Sequence, residues 1–283
     1  MNLLFITWDV DPVAFSLFGL DIAFYGLMWA LAFALGLWIF GKIVKHEGLD
    51  PEITGSAFTF CIVATVLGAR LGHCLFYEPA YYLSRPWEIL FIRNGGMASH
   101  GAAIGLLIGI WLFSHKWKTP YIWFLDRVGI VVAIGGACIR IGNLINSEVY
   151  GTATDMPWGF IFVRANETMP MHPTQIYEAL AYILLFAVLM LLYWRTKVSN
   201  KRGVMFGVFL IWLFGARFLI ESIKNVQEAF ETTMKLNMGQ WLSIPFVVAG
   251  VVILVVALRR AAQPYTNMPQ PKAPTRQQKR HAK

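Results

Sequence analysis

The chain is poor in charge. Only 14% of its 283 residues are Asp, Glu, Lys or Arg, whereas 57% are apolar, and the mean hydropathy is +0.55. A soluble protein would carry roughly a quarter charged residues, so a conventional water-exposed surface is excluded. Cysteine is scarce too. Cys61, Cys74 and Cys138 lie inside apolar runs with no paired spacing, which argues against a disulfide framework or a thiolate metal site and leaves small packing residues. There is no HExxH and no paired His/Cys ligand set, so no metal is expected. A GxSxG elbow and a Walker loop are missing as well. Metal-dependent hydrolysis, serine hydrolysis and ATP hydrolysis lack their residues, and no cofactor is implied. The first residues, MNLLFITWDVDPVAFSL, have no basic n-region and no small-residue cleavage site, and they carry Asp9 and Asp11. That is not the pattern of a cleaved signal peptide. No internal repeat is visible, which weighs against an inverted-repeat transporter.

What the chain does have is apolar runs long enough to cross a ~30 Å hydrocarbon core, which takes about 20 helical residues. Their pattern predicts spans at 20–41, 53–77, 97–114, 122–145, 176–195, 203–223 and 239–259. The expected fold class is an all-α polytopic membrane protein with seven transmembrane helices and a membrane domain at 20–259. Residues 1–19 are expected as an extracytoplasmic N-terminal segment. Residues 147–172, with Trp158, Phe160 and Phe162 among turn residues, are expected to form a small extracytoplasmic cap.

The net charge of +8 is unevenly placed. Lys42, Lys45, Lys116, Lys118, Arg195, Lys197, Lys201, Arg202 and the C-terminal tail fall on one side of the predicted spans. Arg85, Arg93, Arg164, Lys224 and Lys235 fall on the other. The positive-inside bias puts the N-terminus outside and the C-terminus in the cytoplasm. The tail at 260–283 holds Pro, Gln and basic residues with no acid. It reads as a disordered cytoplasmic segment near anionic lipid, not as a nucleic-acid binder.

This orientation brings Tyr25, Arg70, His100, Arg140, Gln175, Glu178, Arg217 and Gln240, from seven different spans, to the outer-leaflet ends of their helices. The densest stretch is CIRIGNLINSEVYG, 138–151, where Arg140, Asn143 and Asn146 share a helix face and Glu148 and Gly151 follow. An intramembrane arginine is costly and by default functional, and its planar donors suit phosphate. The structural alternative is a pair with Glu148 or Glu178 that fastens helices. Arg217 and Glu221, four apart, either pair with each other or add a second guanidinium to an anion clamp. His100 opens a helix, where the dipole favours a neutral, proton-accepting imidazole. Gln175 and Glu178 can face one cavity. Gly101, Gly105 and Gly109 form a small-residue stripe suited to close helix approach. Arg70, inside Gly68-Ala69-Arg70-Leu71-Gly72, either braces the bundle or touches substrate, and Asp126-Arg127 reads as structural. What remains is an anion site, with or without a base, open to the outer leaflet, where a phospholipid is the natural anionic ligand.

These motifs resemble a known family. The Arg140-Ile-Gly-Asn-Leu-Ile-Asn-Ser-Glu-Val-Tyr-Gly block resembles the signature of bacterial prolipoprotein diacylglyceryl transferases. Tyr25-Gly-Leu-Met, Gly68-Ala-Arg-Leu-Gly, Gly95-Gly-Met-Ala-Ser-His100-Gly, His172-Pro-Thr-Gln-Ile-Tyr-Glu178, Arg217-Phe-Leu-Ile-Glu221 and Gly239-Gln-Trp-Leu-Ser-Ile-Pro follow in the family's order. The resemblance implies transfer of a diacylglyceryl group from phosphatidylglycerol to the lipobox cysteine of preprolipoproteins, with glycerol-1-phosphate released. It implies a multi-pass protein of the bacterial cytoplasmic (inner) membrane, partnered by phosphatidylglycerol, preprolipoprotein signal peptides and the bilayer. Carried onto this chain, His100, Arg140 and Arg217 would be catalytic. Tyr25, Arg70, Asn143, Asn146, Glu148, Gly151, Gln175, Glu178 and Glu221 would bind substrate. Three positions depart from the family pattern: Ala102 where relatives have a second glycine, Leu213 where a tyrosine is common, and Lys224 where an arginine is usual. The competing expectation is a transporter or binding protein that uses the membrane arginines to hold an anionic solute or lipid.

Overall fold

The computed structural model describes residues 5–91, 96, 98–225, 235–262, 265 and 268–271. The long apolar runs are helices: α1 (Phe24–His46), α2 (Glu52–Phe76), a short α3 (Pro79–Ser84), α4 (Ser99–Trp117), α5 (Tyr121–Ile145), α6 (Thr174–Arg195), α7 (Val204–Glu221) and α8 (Met238–Arg259). Six of them, α1, α2, α5, α6, α7 and α8, are long and apolar enough to cross a membrane. The chain is therefore an all-α polytopic membrane protein. The remaining predicted span corresponds to α4, whose apolar middle is flanked by Ser99-His100 and Ser114-His115-Lys116.

The chain divides into two compact units, residues 1–39 with 126–264, and residues 40–125 with 265–283. In the second unit α2 and α4 pack backbone to backbone. A Cβ on Gly72 would lie 2.6 Å from Gly101 Cα, and one on Gly105 would lie 2.9 Å from Gly68 Cα. The glycine stripe is thus a helix-packing seam, where missing side chains let dispersion act between main chains. At the other end of the seam Phe113, Phe124 and Trp123 are fully buried, and the Trp123 indole donates to Glu47 at 2.7 Å. In this unit Met268 is buried and the Asp50 N–H donates to the Pro269 carbonyl at 3.1 Å. Residues 272–283, the bulk of the predicted tail, lie outside the described residues.

In the first unit α7 and α8 meet at Gly207 and Gly250, where a Cβ on Gly207 would sit 3.0 Å from the Gly250 carbonyl oxygen. Asp126 is 1% exposed and caps α7, accepting from the N–H groups of Gly203 at 2.8 Å and Phe206 at 2.9 Å. That satisfies two donors which a helix start otherwise leaves orphaned, so Asp126 is structural as its sequence position suggested.

Three short strands precede α1. β1 (Ile6–Trp8) pairs in parallel with β4 (Phe160–Phe162), while β2 (Val13–Leu17) and β3 (Leu20–Ala23) form a hairpin that leads into α1. The strand pair closes a small core in which Phe160, Phe162 and Met171 pack with Trp8, Leu144, Tyr150 and Ile176. Arg164 clasps the N-terminal segment, 3.1 Å from Asp9 and 3.3 Å from Asp11. The 147–172 segment is therefore ordered around its own apolar residues, although Trp158 itself is exposed.

Candidate active site

The site residues of the first unit converge because α5 stops abruptly. After Ile145 the chain turns through Ser147 at φ 55° and Val149 at φ 62°. A β-branched residue in the left-handed region is a true outlier, and such strain persists only where surrounding contacts hold it. Here they do. The Glu148 N–H donates to the Asn143 carbonyl at 3.0 Å, Gln175 Nε2 donates to the Glu148 carbonyl at 2.7 Å, and Thr174 Oγ1 donates to the Val149 carbonyl at 3.0 Å. The turn folds the Glu148 carboxylate back over the helix end, where it accepts from Asn143 Nδ2 at 2.7 Å and Asn146 Nδ2 at 3.4 Å.

Arg140 lies one turn before Asn143 and donates to its Oδ1 at 3.2 Å. Its Nε is 2.6 Å from Glu178 Oε2 on α6. Of the two carboxylates the sequence offered as partners, Glu178 is the one that pairs, and Glu148 instead holds the two asparagines. Tyr182, one turn beyond Glu178 and also buried, brings its hydroxyl to the Arg140 guanidinium. Glu178 is 1% exposed and serves a second cation, with Oε1 3.3 Å from Lys224 Nζ. Lys224 in turn lies 3.8 Å from Glu221, which is 3.7 Å from Arg217 Nε. Three cations and two carboxylates thus alternate, Arg140, Glu178, Lys224, Glu221 and Arg217, with Glu148 joined to Arg140 through Asn143.

The cations are not equivalent. Lys224 is 5% exposed, Arg140 19% and Arg217 39% by side chain. Arg217 Nε makes no hydrogen bond among the described residues, and its ion pair is long. Its greater side-chain exposure makes Arg217 the most accessible of the three to an incoming anion. Its partner Glu221 is steadied by α8: a Cβ on Gly239 would lie 2.7 Å from Glu221 Oε1, and Asn237, which starts α8 in a capping box with Gln240, donates to the Glu221 carbonyl at 2.9 Å.

Two predicted positions act through shape. Gly151 pairs in an antiparallel bridge with Lys224 and donates to the His172 carbonyl at 2.8 Å. A Cβ there would lie 2.7 Å from Thr174 Cγ2 and would strike the Ile223 carbonyl, so only glycine lets these strands of chain meet. Tyr25 lays its ring on α5, where a Cβ on Gly142 would be 2.8 Å from its Cδ2.

Arg70 and His100 belong to the second unit. Arg70 is 3% exposed and its guanidinium donates to main-chain carbonyls: Glu88 at 2.7 Å, Ile89 at 2.9 Å, Gly96 at 3.2 Å and Phe91 at 3.3 Å. That is the geometry of a brace, and it holds the chain leading to α4. His100 is exposed on the first turn of α4, with Nε2 2.9 Å from the Tyr77 hydroxyl.

Sequence reasoning noted Lys224 for its side of the membrane and as a departure from the family pattern, but did not place Lys224, Tyr182 or Asn237 in the site. Lys224 had a signal, being a cation three residues beyond Glu221 and so able to reach it across a helix turn. Tyr182, four residues after Glu178 on an apolar helix, looked like packing. Away from the spans, Tyr150 stands beside Glu167, its hydroxyl donating to the carboxylate at 2.7 Å. Burial and that neighbouring carboxylate push its phenol up to about 12.

The chain is similar to proteins of one family. A family model described as prolipoprotein diacylglyceryl transferase matches residues 12–256. A phosphatidylglycerol–prolipoprotein diacylglyceryl transferase of Porphyromonas gingivalis is 47% identical over 270 residues, covering 90% of this chain and 95% of its own. Relatives of the same name from Chloroherpeton thalassium and Tolumonas auensis are each 42% identical, covering 91% and 90% of this chain and 96% and 99% of theirs. With a match this long and this close, the chain belongs to the prolipoprotein diacylglyceryl transferase family.

Proposed function

We propose that this chain transfers the diacylglyceryl group of phosphatidylglycerol to the lipobox cysteine of preprolipoproteins, the first step of lipoprotein maturation. The observation that carries the reading is the alternating cluster of Arg140, Glu178, Lys224, Glu221 and Arg217, with Arg217 only loosely held. Family membership supports it, as do relatives whose name states both substrates.

In the reaction the cysteine sulfur attacks the glyceryl carbon that carries the phosphate. The C–S bond forms, the C–O bond breaks, and its electron pair leaves on the phosphate oxygen as glycerol-1-phosphate. The lipid phosphodiester carries one charge and the departing monoester gains more, so preorganised cations stabilise the transition state beyond the ground state. Arg140 and Arg217 are the phosphate ligands. Glu178, held by Lys224, fixes the Arg140 fork, while Asn143, Asn146, Glu148 and Gln175 keep the end of α5 in shape. Gly151 and Tyr25 provide close approach and a lining ring, Glu221 orients Arg217, and Arg70 supports the approach to α4. His100 accepts the thiol proton, since free cysteine has a pKa of about 8.5 and the attacking species is the thiolate.

The protein sits in the bacterial inner membrane with seven crossings, N-terminus outside and C-terminus in the cytoplasm. The cluster faces the outer leaflet, and the 147–172 segment caps that side. The asymmetry of basic residues supports the orientation. The test is incubation of the purified protein with phosphatidylglycerol vesicles and a lipobox peptide. A diacylglyceryl mass gain on the peptide cysteine, with glycerol phosphate released, is expected. Binding of phosphatidylglycerol without either product would instead leave a lipid-binding protein.

A further inference from the structure

Tyr77, the residue that ends α2, contacts two imidazoles. Its ring stacks on His73 with centroids 5.6 Å apart and planes at 16°, and on His100 with centroids 5.7 Å apart and planes at 22°. Its hydroxyl is 2.9 Å from His100 Nε2. Although Tyr77 is 57% exposed, its ring has two near-parallel aromatic neighbours, and its N–H is bonded to the His73 carbonyl at 3.0 Å. Two near-parallel aromatic neighbours constrain ring orientation without burial.

Among the described residues, the charged groups on the surrounding elements are otherwise engaged. Arg70 donates to the carbonyls of the 88–96 segment. Glu88 accepts from Tyr81 and pairs with Arg85. Glu78 stands 4.0 Å from His73 Nε2 and Tyr82 meets His73 edge-on. The described partner of His100 is therefore a phenol and not a carboxylate.

We infer that Tyr77 is the positioning residue for His100, rests on the reading of His100 as proton acceptor, and acts by holding one tautomer. A tyrosine hydroxyl can donate or accept. Being exposed, the Tyr77 hydroxyl can donate its hydrogen bond to water and accept from Nε2–H, which leaves the Nδ1 lone pair free. The lipobox thiol then gives its proton to Nδ1: the S–H bond breaks, the Nδ1–H bond forms, and the thiolate keeps the electron pair with which it attacks. The imidazolium so formed donates a charge-assisted bond to the Tyr77 oxygen, stronger than the neutral one it replaces. The second ring nitrogen decides which nitrogen is the base. The stack on His73 keeps the acceptor in line.

Tyr77→Phe keeps both stacks and removes only the oxygen. It is expected to lower kcat about tenfold with KM unchanged, and to move the acid limb of the kcat/KM profile to lower pH, because the imidazolium loses its acceptor. In wild type, 15N-histidine spectra of the detergent-solubilised protein should show the Nε2–H tautomer for the signal that His100→Gln removes. The Tyr77→Phe spectra should show that preference lost. A Tyr77→Phe enzyme with wild-type kcat, acid limb and tautomer, beside an impaired His100→Gln, would overturn this inference alone. An unimpaired His100→Gln would overturn the base assignment and this inference with it.

Discussion

Glu178 and Arg140 form the shortest ion pair of the cluster, and the structure predicts that losing one is not equivalent to losing the other. Glu178 is 1% exposed by side chain and neutralises two cations, Arg140 at 2.6 Å and Lys224 at 3.3 Å. Glu178→Gln keeps the size but takes from Arg140 its carboxylate partner and leaves Lys224 with only the longer pair to Glu221 at 3.8 Å, in a poorly solvated place. Removing one partner of a buried pair costs about 3–5 kcal/mol, and here the upper end is expected because two cations each lose their shorter ion pair. Arg140→Ala leaves Glu178 still paired with Lys224, so its cost should stay at or below about 3 kcal/mol. Function should rank the other way. Arg140→Ala deletes a phosphate donor and should lower kcat by about 10²–10³, the loss typical of a missing transition-state donor. Glu178→Gln keeps that donor, misplaced, and should lose less. Denaturant unfolding in detergent, followed by tryptophan fluorescence, measures the first ranking, and mass-spectrometric transfer rates measure the second. If Arg140→Ala unfolds more easily than Glu178→Gln, the double role of Glu178 is wrong. If Arg140→Ala turns over within about threefold of wild type, it does not hold the phosphate.

Two further outcomes test the packing. Gly101→Val puts a Cβ 2.8 Å from Gly72 Cα and closer still to the Gly68 carbonyl. Backbone cannot yield as a side chain can, so a loss of about 3 kcal/mol, the top of the usual overpacking range, is expected. Gly55→Ala, with nothing within 4 Å of its added carbon, should be silent in the same unfolding assay. For Tyr150, the folded phenol titrates at about 12, above its ordinary value of 10. A raised folded pKa means the stabilisation is fully present below pH 10 and is lost as pH rises towards 12. The stability gap between wild type and Tyr150→Phe should therefore shrink over that window, and a constant gap would show that burial and Glu167 do not raise the phenol pKa.

Much of the helical frame could be read in advance. The segment expected at 122–145 is α5 over Tyr121–Ile145, and the one at 239–259 is α8 over Met238–Arg259. A membrane helix needs a continuous apolar run of known length, and it satisfies its own backbone hydrogen bonds. Both requirements are local, so composition along the chain suffices. The glycine stripe of α4 was legible for a similar reason, although its partner glycines on α2 were not assigned. The strands near the N-terminus had no comparable signal. β1 is three residues long and is paired only because β4, more than 150 residues later, comes beside it.

The polar residues divide along the same line. Their presence in apolar runs was enough to mark Arg140, Asn143, Glu148, Gln175, Glu178, Arg217 and Glu221, since an unexplained charge in such a run is costly wherever it lies. Their spacing on a single helix also placed Asn143 one turn from Arg140. Which carboxylate meets Arg140 was beyond the sequence, because Glu148 and Glu178 were both candidates and only the packing of α6 beside α5 selects Glu178. The same holds for Lys224, drawn in to Glu178 across 46 residues, for Arg70, whose donors end on carbonyls of a loop, and for Tyr77 at His100. Cost of burial is a property of a residue and its local run, so it is written in the sequence. The choice of partner depends on distances between segments far apart in the chain, and those exist only once the helices have packed.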